Sequence, residues 1–208
     1  MLSELRINDF VNNLSSDSTI PGGGSAAALA GTIGAGLITK VCNVTLNKSS
    51  HMGKDDSMVQ LLEQCKDLCK EFTRLIDIDA ETITALEDAL KLEDSTEEKS
   101  HIKEGAIQAA SRKAIQVPFK TLELAVDLLS IAREACENGD EDYLPQAGMA
   151  ASIALATMDS AWYNIFANLG LLVEESFATE ILERGELLIQ EGEELYDTAM
   201  NTIDSRIS

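Results

Sequence analysis

Three groups of residues in this sequence could do chemistry. The first is Pro21-Gly22-Gly23-Gly24-Ser25, a glycine turn followed by a run of tiny and aliphatic residues. A glycine turn that feeds a helix N-terminus offers unpaired backbone N–H groups and the positive end of a helix dipole, which suits an anion or a polar ligand group. The same spacing also suits a plain inter-helix turn with Ser25 as its cap. The second is Asp79, a carboxylate on what is otherwise an apolar stripe. Burial of an unpaired carboxylate raises its pKa toward the range useful for proton transfer; the other reading is a local shift that turns Leu75 or Ala80 inward instead. The third is Asn164 with Asn168, one helical turn apart, whose amides could read a polar heterocycle or simply bond neighbouring helices.

These residues need long helices to position them. Ser3 to Leu14 reads as a short first helix with Leu5, Phe10, Val11 and Leu14 on its apolar side, and residues 15–24 as a loop. A second helix is expected from Ser25 to Asn47. Its many Ala and Gly residues would let neighbours approach closely. A polar connection, 48–56, follows. The third helix has a capping box at Ser57 and Gln60 and a seam at Met58, Leu62, Cys65, Cys69, Phe72, Ile76, Ile83, Leu86 and Leu90, whose missing step falls on Asp79. Ser95 and Glu98 form a second capping box for a fourth helix that ends at Asn138. Pro118 inside it predicts a kink or a split. The fifth helix begins near Pro145, with a seam at Ala154, Met158, Ala161, Ile165, Asn168 and Leu172, and a sixth runs from about Thr179 to Thr202. The sum is one all-α domain over 1–208, a bundle of about six mostly long helices. Its stripe of tiny residues favours self-association.

Composition narrows the function further. With 36 acidic against 16 basic residues the chain carries a net charge of −20, which argues against nucleic acid and anionic membrane as partners. The uncharged run from Ile20 to Thr39 is long enough to span a bilayer, but it opens on Pro-Gly-Gly-Gly and lacks bulky aliphatics, so it reads as a buried helix. The N-terminus, MLSELRINDF, does not have the build of a signal peptide. Cys42, Cys65, Cys69 and Cys136 have no zinc spacing, and His51 and His101 have no ligand companions. The expectation is therefore no metal, buried free thiols and a cytoplasmic protein. Walker, Rossmann, HExxH and GxSxG motifs are all absent.

The motif PGGGSAAALAG, followed by a run that ends in Thr45 and Lys48, resembles the cyclodeaminase/cyclohydrolase family. That family includes the C-terminal domain of formiminotransferase-cyclodeaminase and stand-alone methenyltetrahydrofolate cyclohydrolases. The resemblance continues through DIDAETITALEDALKL, which contains Asp79, through Val117-Pro118, and through Asn164-Ile165-x-x-Asn168. It implies an all-helical homodimer that binds a reduced folate as substrate and needs no further cofactor. The reaction would be hydrolysis of 5,10-methenyltetrahydrofolate to the 10-formyl form, or closure of 5-formiminotetrahydrofolate to the methenyl form with loss of ammonia. Asp79 would transfer protons. Pro21, Gly22, Gly23, Gly24, Ser25, Thr45, Asn164 and Asn168 would line the folate site, and Lys48 would offset the ligand's negative charge. Two positions depart from the family: Glu93-Asp94 stands where a Pro-Lys pair is usual, and Pro145-Gln146 where Ser-Asp is usual. These departures motivate the alternative of a catalytically weak or silent folate-binding member.

Overall fold

The structure, a computed structural model, describes residues 1–49 and 56–207, without the Ser49 side chain. Residues 50–55 of the polar connection, His51 among them, lie outside the described residues. Six α-helices form the described chain: α1 (Ile7–Leu14), α2 (Gly23–Ser49), α3 (Asp56–Leu90), α4 (Glu97–Asn138), α5 (Leu144–Leu169) and α6 (Glu175–Ile207). Short 3-10 turns occupy Leu2–Glu4 and Glu141–Tyr143. The all-α expectation holds, and among the described residues no strand occurs.

α2 lies at the centre, packed against α3 and α5 and more lightly against α4; α6 closes α4 and α5 from the other side. Small residues make the close packing possible. A Cβ on Gly31 would sit 2.5 Å from the Phe72 ring, and one on Gly34 would sit 3.0 Å from Leu128. The seams read from sequence are the core: Met58, Cys65, Phe72 and Ile76 on α3, and Ala154, Met158, Ala161 and Ile165 on α5, are buried. At about 25 cal/mol per Å² of apolar surface removed from water, stripes of this kind supply most of the drive to fold. The α2 stretch Gly23–Lys48 is long and apolar enough to cross a membrane, and half of its most apolar part is buried inside the bundle. Its outer side leaves Ile33 51% exposed, and α5 beside it exposes Met149 and Tyr163.

Four local expectations change. Ser3 belongs to the first 3-10 turn, held by Asp77, and α1 starts only at Ile7; of its apolar side Phe10 alone is buried. α2 begins at Gly23 rather than Ser25, because the Ala26 N–H already bonds the Gly22 carbonyl at 3.1 Å. Thr96, not Ser95, caps α4: its hydroxyl accepts from the Lys99 N–H. α4 also runs through Pro118 without dividing.

Beyond residue 82 the end of α3 and the start of α4 leave the bundle as a two-helix arm. Ala89 and Ala110 are buried where its two helices meet, while Leu90 and Ile102 are exposed. The seam of α3 therefore faces the core only up to Asp79, and Ile83, Leu86 and Leu90 continue it along the arm.

Candidate active site

The first turn of α2, the middle of α3, the end of α5 and the Pro118 region of α4 meet at one end of the bundle. Asp79 sits there, 9% exposed. The seam brings it inward, and α2 makes room for it. A Cβ on Gly24 would stand 2.0 Å from Asp79 Oδ1, so only glycine allows the carboxylate to rest on the α2 backbone. Ser25 is wholly buried, and its hydroxyl lies 2.8 Å from Asp79 Oδ2 and 3.0 Å from the Ile76 carbonyl. Ser25, through its hydroxyl and its backbone N–H in the first turn of α2, thus meets a carboxylate supplied by the protein itself. The glycine turn is a seat for Asp79.

Burial pushes the Asp79 carboxyl above its ordinary value, against the opposing pull of the Ser25 hydroxyl and backbone N–H. Among the described residues no charged side chain offsets that burial. Asp77, two residues earlier on α3, is also buried, but it accepts from the Leu2 and Ser3 N–H groups and the Ser3 hydroxyl and so fastens the N-terminal turn. The two carboxylates differ in partner because a step of two residues turns about 200° around a helix.

Asn164 reaches the site across Gly23. A Cβ on that glycine would lie 3.3 Å from Asn164 Oδ1. Asn164 Nδ2 donates to the Ser160 carbonyl at 2.8 Å. Asn168 Nδ2 donates to the carbonyls of Asn164 and Ala114, both at 2.9 Å. Carbonyls can only accept, so the amide atom at each of these bonds is the nitrogen, and Asn164 Oδ1 is the atom that lies against Gly23. The Ala114 bond also explains the intact α4. In a regular helix the Ala114 carbonyl would accept from the N–H of residue 118, and proline has none. Asn168 supplies the missing donor from the neighbouring helix. An interior proline four residues after a carbonyl that needs a donor, together with an asparagine on an apolar seam, was the signal available in the sequence, but only the packing pairs them.

Thr45 and Lys48 are not brought to this site within the chain. They lie near the C-terminal end of α2, about 30–35 Å along the helix from Ser25 at 1.5 Å per residue. There Thr45 donates to the Val41 carbonyl and accepts from the Asp140 N–H at 2.9 Å. Lys48 pairs with Asp140 at 2.8 Å and Asp142 at 2.7 Å, and the hydrogen bonds to Asp140 and then Asp142 hold its ammonium above the ordinary lysine value. Both residues fasten the turn between α4 and α5. Pro145-Gln146 opens α5 at that same end, and Gln146 Oε1 is buried with no partner among the described residues. Glu93 and Asp94, at the tip of the arm, pair with Lys99 and Lys103. Pro21, which follows a cis peptide bond, is buried, and Gly22 lies beside it at the entry to α2. Among the described residues no group of three His, Cys, Asp or Glu side chains could hold a metal ion.

The result is a helical bundle with a buried carboxylate, without a cationic partner among the described residues, seated on a glycine helix start. The chain belongs to the formiminotransferase-cyclodeaminase family, whose profile matches residues 6–186. It is 31% identical to a methenyltetrahydrofolate cyclohydrolase of Methylorubrum extorquens over 97% of both chains. It is 26% identical to the formimidoyltransferase-cyclodeaminase of Mus musculus over 99% of its own length, but spans only 38% of that protein. The fold is that of a formiminotetrahydrofolate cyclodeaminase from Thermotoga maritima, with a TM-score of 0.89, 21% identity and full coverage of both chains.

Proposed function

We propose that this chain is a cytoplasmic one-carbon tetrahydrofolate enzyme that hydrolyses 5,10-methenyltetrahydrofolate to the 10-formyl form. The observation that carries the reading is Asp79, a buried carboxyl with no cationic partner among the described residues, seated on the same α2 start that Asn164 touches. The higher identity to the bacterial cyclohydrolase relative, 31% against 26% for the mouse cyclodeaminase, supports this reaction over the alternative.

In the proposed mechanism, a reduced pterin offers ring N–H and amine donors, and Asn164 Oδ1 and Asn168 Oδ1 accept them. Water adds to the methenyl carbon while Asp79 takes its proton. The carbon–N5 bond then breaks as Asp79 returns that proton to N5. The remaining hydroxyl proton leaves to solvent as the formyl carbonyl forms on N10. A carboxyl whose pKa burial has raised can serve as base and then as acid, and positioned proton transfer of this kind contributes about 10²–10⁴-fold in rate. No metal or organic cofactor enters these steps. Closure of 5-formiminotetrahydrofolate with ammonia release is the second reading, motivated by the vertebrate cyclodeaminase relatives.

The working form is a homodimer, supported by the apolar outer face that α2 and α5 share through Ile33, Met149 and Tyr163; sedimentation velocity tests it. The activity is tested by loss of methenyltetrahydrofolate absorbance with purified protein, run beside ammonia release from the formimino substrate. Turnover of the first supports the main reading and turnover of the second alone replaces it. Tight folate binding without turnover of either shows a silent, folate-binding member of the family.

A further inference from the structure

The hydroxyl of Ser25 faces two acceptors and has one proton. It lies 2.8 Å from Asp79 Oδ2 and 3.0 Å from the Ile76 carbonyl, and the residue is wholly buried. A hydroxyl donates once and accepts through two lone pairs, while a carbonyl that serves its own helix keeps a second lone pair. We propose that Ser25 is the positioning residue that lets Asp79 hold and release a proton: its hydroxyl donates to Asp79 Oδ2 when the carboxyl is ionised, and turns to the Ile76 carbonyl, accepting from Asp79, when the carboxyl carries the proton.

Both states of the pair are then fully hydrogen-bonded. A buried donor or acceptor left unmade costs far more than a made bond contributes, so without such a rotor one of the two states would be penalised. The turn of one hydroxyl about its Cβ–Oγ bond requires no backbone movement. The surroundings are otherwise neutral. From α2 the carboxyl meets Gly24 and Ser25, and from α5 Asn164 approaches across Gly23. On α3 itself, Asp77 is turned to the N-terminal segment and Glu87 accepts from Thr19 of the entry loop. Arg74 and Glu81 of α3 and Lys113 and Lys120 of α4 line a groove of their own on the α3–α4 surface. The main influences that change with Asp79 are its burial and Ser25.

The inference deepens the reading of Asp79 given above, and its first measurement does not depend on activity. The Asp79 carboxyl carbon, identified by its loss in Asp79→Asn, is titrated by ¹³C NMR in the unaltered protein, in Ser25→Ala and in Ser25→Cys. The bond that Ser25 makes to the ionised carboxylate is stronger than the one it makes to the neutral acid, so its loss in Ser25→Ala moves the midpoint to higher pH. Ser25→Cys, a weaker donor of similar volume, moves it in the same direction. In steady-state kinetics Ser25→Ala lowers kcat about tenfold with KM little changed, the acidic limb of the pH–rate profile follows the NMR midpoint, and Ser25→Thr restores part of both. An unchanged midpoint in a folded Ser25→Ala, or in Ser25→Cys should the alanine variant not fold, overturns the proposal. If the unaltered protein turns over neither folate, the proposed reaction fails while the midpoints still decide the role of Ser25.

Discussion

The two ends of α2 handle charge in opposite ways. At the start, Asp79 is buried on Gly24 without a cationic partner among the described residues, held by the hydroxyl and the backbone N–H of Ser25. At the end, Lys48 stands half-exposed between Asp140 and Asp142, and Thr45 ties the backbone of the same turn. The first arrangement keeps a carboxyl poised between two protonation states, because burial and hydrogen bonding pull it in opposite directions. The second locks its charges, because water screens them and each already has an opposite partner. A charged residue in a sequence motif therefore says little about chemistry until the neutrality of its surroundings is known.

Gly24→Ala should break the first end most severely. Its Cβ would overlap Asp79 Oδ1, so the carboxyl must leave its seat. We expect a loss of activity of at least about 100-fold and destabilisation of about 1–3 kcal/mol. Gly105→Ala in the arm, where an added Cβ meets nothing within 4 Å, is the control and should gain about 0.5–1 kcal/mol. Thermal melts with the folate assay separate the two; a Gly24→Ala protein as active as the parent would refute the seat.

Asp79→Asn should cost about 10²-fold or more in kcat while raising stability at neutral pH. The sign follows from linkage. A carboxyl whose folded pKa lies above its unfolded one binds more protons when folded, so it opposes folding once the pH has risen through the folded value and ceases to do so below the unfolded one. The gain in Tm of the variant should therefore be present at pH 7 and vanish by about pH 3–4, as calorimetry across pH can read. A gain that is constant with pH would mean that Asp79 titrates normally.

Asn168→Ala should cost about 1–2 kcal/mol, the penalty for a carbonyl left unpaired at Ala114. In a Pro118→Ala background the helix supplies its own N–H, and most of that cost should disappear. A double-mutant cycle in urea measures the coupling, and strict additivity would reject the pairing. Lys48→Ala is the smallest effect: activity within about twofold and only a slight fall in Tm, as for exposed ion pairs. A large activity loss with an unchanged melt would sharpen the comparison differently, because the far end of α2 could reach a site only through a second copy of the chain.

Much of the fold was legible from the chain alone. The alternating steps of four and three on α3 and the small-residue run of α2 are local, periodic signals, and helix geometry converts them directly into faces. Asp79 could be marked for the same reason, as a polar residue on a seam. The motif run through Thr45 and Lys48 is adjacent in sequence but separated in space within one chain, because a 27-residue helix carries its ends about 40 Å apart. The partner of the Asn168 nitrogen, the Ala114 carbonyl that Pro118 leaves free, is not legible in the sequence.

By itself the sequence determined the helical class, the buried stripes and the three places where a site could form, since each depends on residue type and spacing within one helix. Only the tertiary structure decided that the glycine turn holds Asp79, that Ser25 serves that carboxyl, and that Thr45 and Lys48 fasten a distant turn. Those facts depend on which helix ends meet, and hydrogen-bond partners more than 50 residues apart along the chain are chosen by packing, which no local pattern encodes.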